Sequence, residues 1–131
     1  MSARRTRSGV ALSALLACGV ASAQQPKLPD LQPGKWKLSG MNDATTCGHP
    51  LQSTYSEIEQ FGKLREMGCK VDMTNPKARS VAVAVVCPAT SKIGAVDTAF
   101  TISSPNPQSF SVETVRRGKP EALNGVRIGD C

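Results

Sequence analysis

Four cysteines that follow residue 23 constrain what this chain can fold into more than any other feature. The chain has five cysteines in 131 residues, and Cys18 lies in an N-terminal segment typical of a cleaved export signal. An even number of cysteines in a small exported domain indicates disulfides, because such domains have small cores and live in oxidising compartments. Spacing alone allows three pairings of the remaining cysteines. These cysteines are Cys47, Cys69, Cys87 and Cys131.

Alternation of apolar and polar residues selects one pairing. The stretches 69–73 and 81–87 both alternate like half-buried strands, and a turn-forming sequence lies between them. Pairing Val71 with Val85 brings apolar residues opposite each other along the whole hairpin, and a slip by one residue destroys the match. Two cysteines then lie directly opposite each other, close enough for a disulfide. The predicted disulfide of the hairpin is Cys69–Cys87. The two cysteines that are left then form the second predicted disulfide, Cys47–Cys131.

Residues 1–23 have the parts of a signal peptide in the right order. Three arginines precede an apolar run that is too short to span a bilayer, and Ala-Ser-Ala follows as a cleavage site. We expect cleavage between Ala23 and Gln24 and a periplasmic location. An alternative is a lipoprotein anchored at Cys18, because Leu-Leu-Ala-Cys loosely resembles a lipobox.

Removal of the signal would leave a single disulfide-pinned domain, 24–131, with room for one modest core. The signal holds three of the sixteen basic residues and none of the ten acidic ones, so the mature chain has thirteen against ten, a net charge of +3. Only Arg116-Arg117-x-Lys119 forms a basic cluster, which we interpret as a solvated strand end. Nucleic-acid binding needs a denser basic stripe. We therefore expect no nucleic-acid partner, no membrane span and a monomer.

A helix is predicted between the first strand and the cysteine hairpin. Thr54 and Glu57 have capping-box spacing, apolar residues recur on one face, and Gly68 is a plausible end. Gly62 weakens this helix by about 1 kcal/mol relative to alanine.

Further alternating segments predict strands. A first strand contains Trp36 facing inward, a second hairpin pairs Ile102 with Phe110 across a turn at 104–107, and a last strand covers 122–128. The predicted fold class is mainly β (α+β): an antiparallel meander of about six strands, curved or partly closed, with one helix and two disulfides.

Both ends of the domain resemble a known family. Segment 31–38, which reads Leu-Gln-Pro-Gly-Lys-Trp-Lys-Leu, is similar to the Pro-Gly-x-Trp opening of a secreted bacterial family, and the ending Gly-x-Arg-Ile-Gly-Asp-Cys at 125–131 is similar to its C-terminus. The order of the four cysteines is also similar to that of the family: an early cysteine, one that opens a strand, one that closes the next strand and a terminal one. This family is known as domain of unknown function 3617. The resemblance implies export to the envelope and supplies no catalytic residue. The chain departs from the family by lacking Met- and Gly-rich stretches and by its more helical segment 51–67.

Two residues at these ends have physical interpretations. Gly34 after Pro33 suits a type II turn that delivers Trp36 into the sheet. Arg127 lies between two apolar residues of the last strand, where a charge needs a partner or water. A salt bridge or a contact to a carbonyl explains it, and anion binding is the alternative.

The inventory of residues argues against an enzyme. His49 is the only histidine, and it lies in a polar loop beside Cys47, which we expect to be oxidised. A zinc site needs three or four good ligands, and a catalytic triad needs a histidine beside a nucleophile and a carboxylate. The sequence also lacks Gly-x-Ser-x-Gly and a phosphate-binding loop. We predict no catalytic residue, no cofactor and no metal.

Two non-enzymatic functions remain open. One is a binding module whose curved sheet holds a small or envelope-derived ligand in an apolar cavity. The other is a structural or protein-interaction module of the cell envelope, in which the same side chains fill the core and a sheet edge or patch docks a partner. Core packing alone also explains Trp36. The candidate ligand-facing residues are Trp36, Phe100, Phe110 and Arg127, with Ile102 and Val112 beside them.

Overall fold

The computed structural model describes residues 27–40 and 43–131, so the predicted signal peptide, its cleavage site and Cys18 lie outside the described residues. Seven antiparallel strands form one sheet in the order β2-β1-β7-β6-β5-β4-β3. The strands are β1 (Gly34–Gly40), β2 (Ala44–Gly48), β3 (Lys70–Thr74), β4 (Ser80–Cys87), β5 (Val96–Asn106), β6 (Ser109–Arg116) and β7 (Lys119–Gly129). Over the described part of the chain, β2 and β3 are the two edges and the sheet is not closed.

The predicted fold class is confirmed, with one more strand than expected. Strand β2 pairs with β1, and Trp36 lies opposite Thr46. Its sequence, Ala-Thr-Thr-Cys-Gly, has no apolar alternation and resembles a polar loop. It is an edge strand with much of its surface in solvent, so it needs no apolar face to pair. Pattern reasoning misses such strands because they bury little.

The helical segment between β2 and β3 has two parts. Helix α1 spans Gln52–Gln60 and helix α2 spans Gly62–Glu66, with Phe61 between them. The break lies beside Gly62, the residue expected to weaken the helix. The chain leaves the segment at Gly68, whose φ is +94°, as the predicted helix end requires. The predicted capping role of Thr54 is wrong, because α1 begins earlier and no side chain caps it. No helix of the described residues is long and apolar enough to cross a membrane.

Both predicted disulfides are present. In the β3–β4 hairpin Val71 lies opposite Val85, as predicted. The two cysteines that flank this pair, Cys69 and Cys87, are bonded with Cα atoms 4.2 Å apart. The other bond joins Cys47 to Cys131 across 84 residues of sequence. By loss of chain entropy in the unfolded state, the disulfide that closes the short loop stabilises the fold by about 3 kcal/mol and the one that closes the long loop by about 4.5 kcal/mol.

The predicted register of the β5–β6 hairpin is wrong by two residues. Ile102 pairs with Val112 instead of Phe110, although the inward face is the predicted one. The predicted turn at 104–107 is part of a strand that continues to Asn106. The backbone N–H of Ser104 donates to the carbonyl of Arg79 at 3.0 Å. The guanidinium of Arg79 donates back to the Ser104 carbonyl at 2.9 Å. A long-range contact therefore keeps this segment extended and moves the turn two residues further.

The core lies on the inner face of the sheet, beneath the helices. Trp36 and Ile102 are fully buried there, and Phe110 packs beside them. The extended lead-in before β1 buries Leu31 against the same core. Ile58 of α1 closes it from the helical side. A single core thus uses one residue or more from nearly every element.

Candidate ligand-binding groove

An open groove of about 320 Å³ lies between the helical segment and the inner face of the sheet. This volume falls at the lower end of the range for small-molecule sites. The floor of the groove is formed by Val85, Thr98, Phe100, Val112, Thr114 and Leu123. Its roof is formed by Leu51, Thr54, Glu57, Phe61 and Leu64. Ile93, Val96 and Arg116 complete its rim.

Side-chain size along two adjacent strands explains where the groove opens. At one end of the β6–β7 hairpin, Phe110 lies opposite Gly125. A Cβ atom at Gly125 would overlap an atom of the Phe110 ring, so the ring fills the space above the glycine. Trp36 packs beside this ring with centroids 5.5 Å apart. Further along the hairpin Val112 lies opposite Leu123, and both residues line the open groove.

The roof is held in place by polar contacts at the start of α1. The Tyr55 hydroxyl donates to the carbonyl of Pro29 at 2.5 Å. Burial raises the pKa of Tyr55 to about 12, with a smaller opposing effect of Arg79 and a small raising effect of Asp30. A phenol that keeps its proton is the form needed to donate this bond.

His49 is also part of this support. Its Nδ1 accepts a hydrogen bond from the backbone N–H of Leu51 at 3.1 Å. Its ring centroid lies 4.8 Å from that of Tyr55. Burial lowers the pKa of His49, partly offset by Asp30, and this favours the neutral form that can accept a bond. The residue therefore positions the helix, and in the described residues no group of three or more His, Cys, Asp or Glu side chains is placed to hold a metal.

Phe100 is the candidate ligand-facing residue that lies in the groove. Its ring packs edge-on against Phe61 of the roof at 6.4 Å between centroids. Val112, named beside the candidates, also lines the floor. The structure places Trp36, Phe110 and Ile102 in the closed core, away from this lining.

Arg127 lies outside the groove and fastens the two ends of the domain together. Its Nε donates to the carbonyl of Pro33 at 3.0 Å, and its guanidinium pairs with Asp130. Gly34 opens β1 instead of forming the predicted type II turn, since its φ is +157°. A Cβ atom at Gly34 would lie 2.5 Å from the Arg127 Nε. The glycine is needed for this close approach.

Sequence reasoning assigned none of the polar groove residues to a binding site, and it interpreted Arg116 as part of a solvated strand end. Thr98 and Thr114 face inward from β5 and β6, and Arg116 lies directly opposite Thr98. Thr114 is only 7 % exposed. No side-chain hydrogen bond of the described residues involves either threonine. The inward alternation of β6 continues from Val112 through Thr114 to Arg116, and this signal was available.

Glu57 and Arg116 line the same groove from opposite walls, one on the roof and one on the rim. The ion pair found among the described residues joins Arg127 to Asp130, so Glu57 and Arg116 are not paired with each other.

Comparison with protein-family models, curated proteins and solved structures finds no match to this chain. The resemblance to domain of unknown function 3617 stays a prediction.

Proposed function

We propose that this protein is a non-catalytic binding module of the bacterial periplasm that holds a small, largely apolar molecule from the cell envelope. The observation that carries the proposal is the open groove of about 320 Å³ beside a core that is already closed. Apolar surface left open in this way favours an apolar occupant, because binding removes that surface from water.

The location in the proposal has its own support. Two disulfides in a domain of this size fit an oxidising compartment. Residues 1–23 have the pattern of an export signal.

A groove-filling variant tests the proposal. Leu123→Trp places a large ring in the floor, whereas Val126→Trp adds the same ring on the outer face of the same strand, where Val126 is 53 % exposed. We expect the neutral apolar fluorophore N-phenyl-1-naphthylamine to bind the wild type and Val126→Trp. Affinity should fall at least about tenfold in Leu123→Trp, equivalent to about 1.4 kcal/mol.

Equal binding by all three proteins, or binding by none, would contradict the proposal. Native mass spectrometry of the protein purified from its own envelope, without reduction, adds a second measurement. We expect an adduct that is lost on denaturation, and a bare chain in every preparation would argue against a resident ligand.

A protein-interaction role is the second candidate, and one observation favours it. Val126 and Ile128 of β7 are each 53 % exposed. Exposed apolar side chains that form a patch can mark a docking surface. Capture of an envelope protein by the wild type and by Leu123→Trp, but not by Val126→Asp, would support this role.

A further inference from the structure

The polar groups of the groove divide into two sets of opposite character. Arg116, Thr98 and Thr114 lie together on the floor side, because Arg116 is directly opposite Thr98 in the β5–β6 register and Thr114 is two residues before it. Glu57 and Thr54 lie on the roof, three residues apart and hence on one face of α1. We propose that the groove takes a single-chain amphiphile with a zwitterionic head, in which a phosphate and an ammonium group are joined. This inference rests on the proposed binding function and specifies the chemistry of its ligand.

The floor set suits the anionic half of such a head. A guanidinium is the side chain best matched to phosphate oxygens, since it can donate two parallel hydrogen bonds. The two threonines add hydroxyl groups that can donate to the remaining oxygens. Neither hydroxyl is used in a side-chain hydrogen bond within the described residues, and Arg116 has no carboxylate within salt-bridge distance there. This set is therefore free to bind an anion.

The roof set suits the cationic half. Glu57 is exposed on α1, lines the groove and is not ion-paired within the described part of the chain. A purely anionic ligand would be repelled by Glu57, and a purely cationic one by Arg116. A ligand that carries both charges satisfies both walls at once, and this charge complementarity gives specificity.

The remaining lining accepts an apolar chain. Val112 lies opposite Leu123 on β6 and β7, and Phe100 of β5 lies diagonal to Val112, so these three groove-lining residues give an apolar area on three neighbouring strands. A groove of about 320 Å³ accommodates one chain more readily than the two chains of a full phospholipid. The expected occupant is thus a lysophospholipid-like molecule, with a phosphocholine or phosphoethanolamine head.

The test compares four dodecyl amphiphiles below their critical micelle concentrations by isothermal titration calorimetry. They are dodecylphosphocholine, dodecyl phosphate, dodecyltrimethylammonium and dodecyl maltoside. We expect the zwitterion to bind at least about fivefold more tightly than the other three, the size of effect that partly exposed ion pairs produce.

Charge-removing variants assign each half of the head to its wall. Arg116→Gln should lower the affinity for dodecylphosphocholine and for dodecyl phosphate by about fivefold each. Glu57→Gln should lower the affinity for dodecylphosphocholine. The affinity for dodecyl phosphate should stay the same or rise. Matched controls are Arg117→Gln, in the adjoining turn, and Glu59→Gln, on α1, because neither residue lines the groove. Thr114→Val tests whether the Thr114 hydroxyl contributes to binding of the phosphate. Its control is Thr101→Val, because Thr101 does not line the groove.

The outcomes separate this inference from the proposed function. If the four amphiphiles bind equally well and the charge variants have no effect, the groove binds apolar chains but the zwitterion inference is wrong. If the anion binds most tightly and Glu57→Gln does not weaken the zwitterion, the ligand is an amphipathic anion and the inference is also wrong. If no amphiphile and no apolar fluorophore binds, the proposed function itself fails.

Discussion

The two ends of the β6–β7 hairpin use the same inner face of the sheet in opposite ways. At the closed end, the Phe110 ring covers Gly125 and packs on Trp36, which is fully buried. At the groove end, Leu123 and Thr114 leave the space beneath the helix open. The β6–β7 register is regular through both ends. The difference lies in what covers this face, because the packed rings of Phe110 and Trp36 fill the closed end whereas the helical segment roofs an open groove at the other. One sheet therefore combines a packed core with a candidate binding groove.

The closed end is also where the segment before β1 meets the end of β7. Arg127 contacts the carbonyl of Pro33 and pairs with Asp130. The Cys47–Cys131 disulfide ties the last residue to β2, the neighbour of β1. The segments 31–38 and 125–131, from which the family resemblance was predicted, thus lie at this end. Their physical role in this structure is to close the fold, and they contribute nothing to the groove lining.

Truncation of one aromatic residue at each end should produce the largest contrast. We expect Trp36→Ala to lower the free energy of unfolding by about 3–5 kcal/mol, because it leaves a cavity in a sealed core. Phe100→Ala should cost only about 1–2 kcal/mol, since part of its ring already faces the groove. Urea denaturation followed by circular dichroism measures both. Equal losses would break the distinction between a closed and an open end.

A smaller effect is expected from adding one methyl group at the closed end. Gly125→Ala should destabilise the fold by about 1–3 kcal/mol, because the new Cβ atom overlaps the Phe110 ring. The double variant Gly125→Ala with Phe110→Leu should recover part of this loss. Gly62→Ala is the control, since no atom lies within 4 Å of its Cβ position, and it should be neutral or stabilising by up to about 1 kcal/mol. A silent Gly125→Ala would show that the ring does not need the glycine.

The smallest effect concerns the roof of the groove and depends on pH. The pKa of Tyr55 is raised to about 12 in the folded protein, above the value of about 10 for an exposed tyrosine. The stabilisation from the protonated phenol is therefore complete below pH 10 and is lost as the pH rises through 12. The stability difference between the wild type and Tyr55→Phe, about 1 kcal/mol at neutral pH, should shrink over this window.

The chain contains a single tyrosine, so its tyrosinate absorbance reports this group directly. Lysine titration affects both proteins equally and cancels in the comparison. A titration midpoint near 10 would contradict the burial of the Tyr55 hydroxyl beneath the roof.

Much of the fold follows from patterns that are local in sequence. The β3–β4 register could be predicted because Val71 and Val85 must share a face, and this places two cysteines together. The β5–β6 register could not, because the position of its turn depends on Arg79, which is 25 residues away from Ser104 in sequence. Edge strand β2 was missed because it lacks an apolar face. Local alternation thus predicts which face is buried but not where a long-range contact ends a strand.

The same division holds for the candidate site. By itself the sequence determined the mainly antiparallel fold, both disulfides and the inward faces of the strands, because alternation and cysteine number act locally or by simple pairing. Only the tertiary structure decided which inward residues close the core and which remain open. Phe110 lies opposite Gly125 and is buried, whereas Phe100 lies opposite Thr114 and lines the groove. This depends on which side chains of other elements pack on each ring and on where the helix lies, and neither is encoded in the periodicity of any one segment.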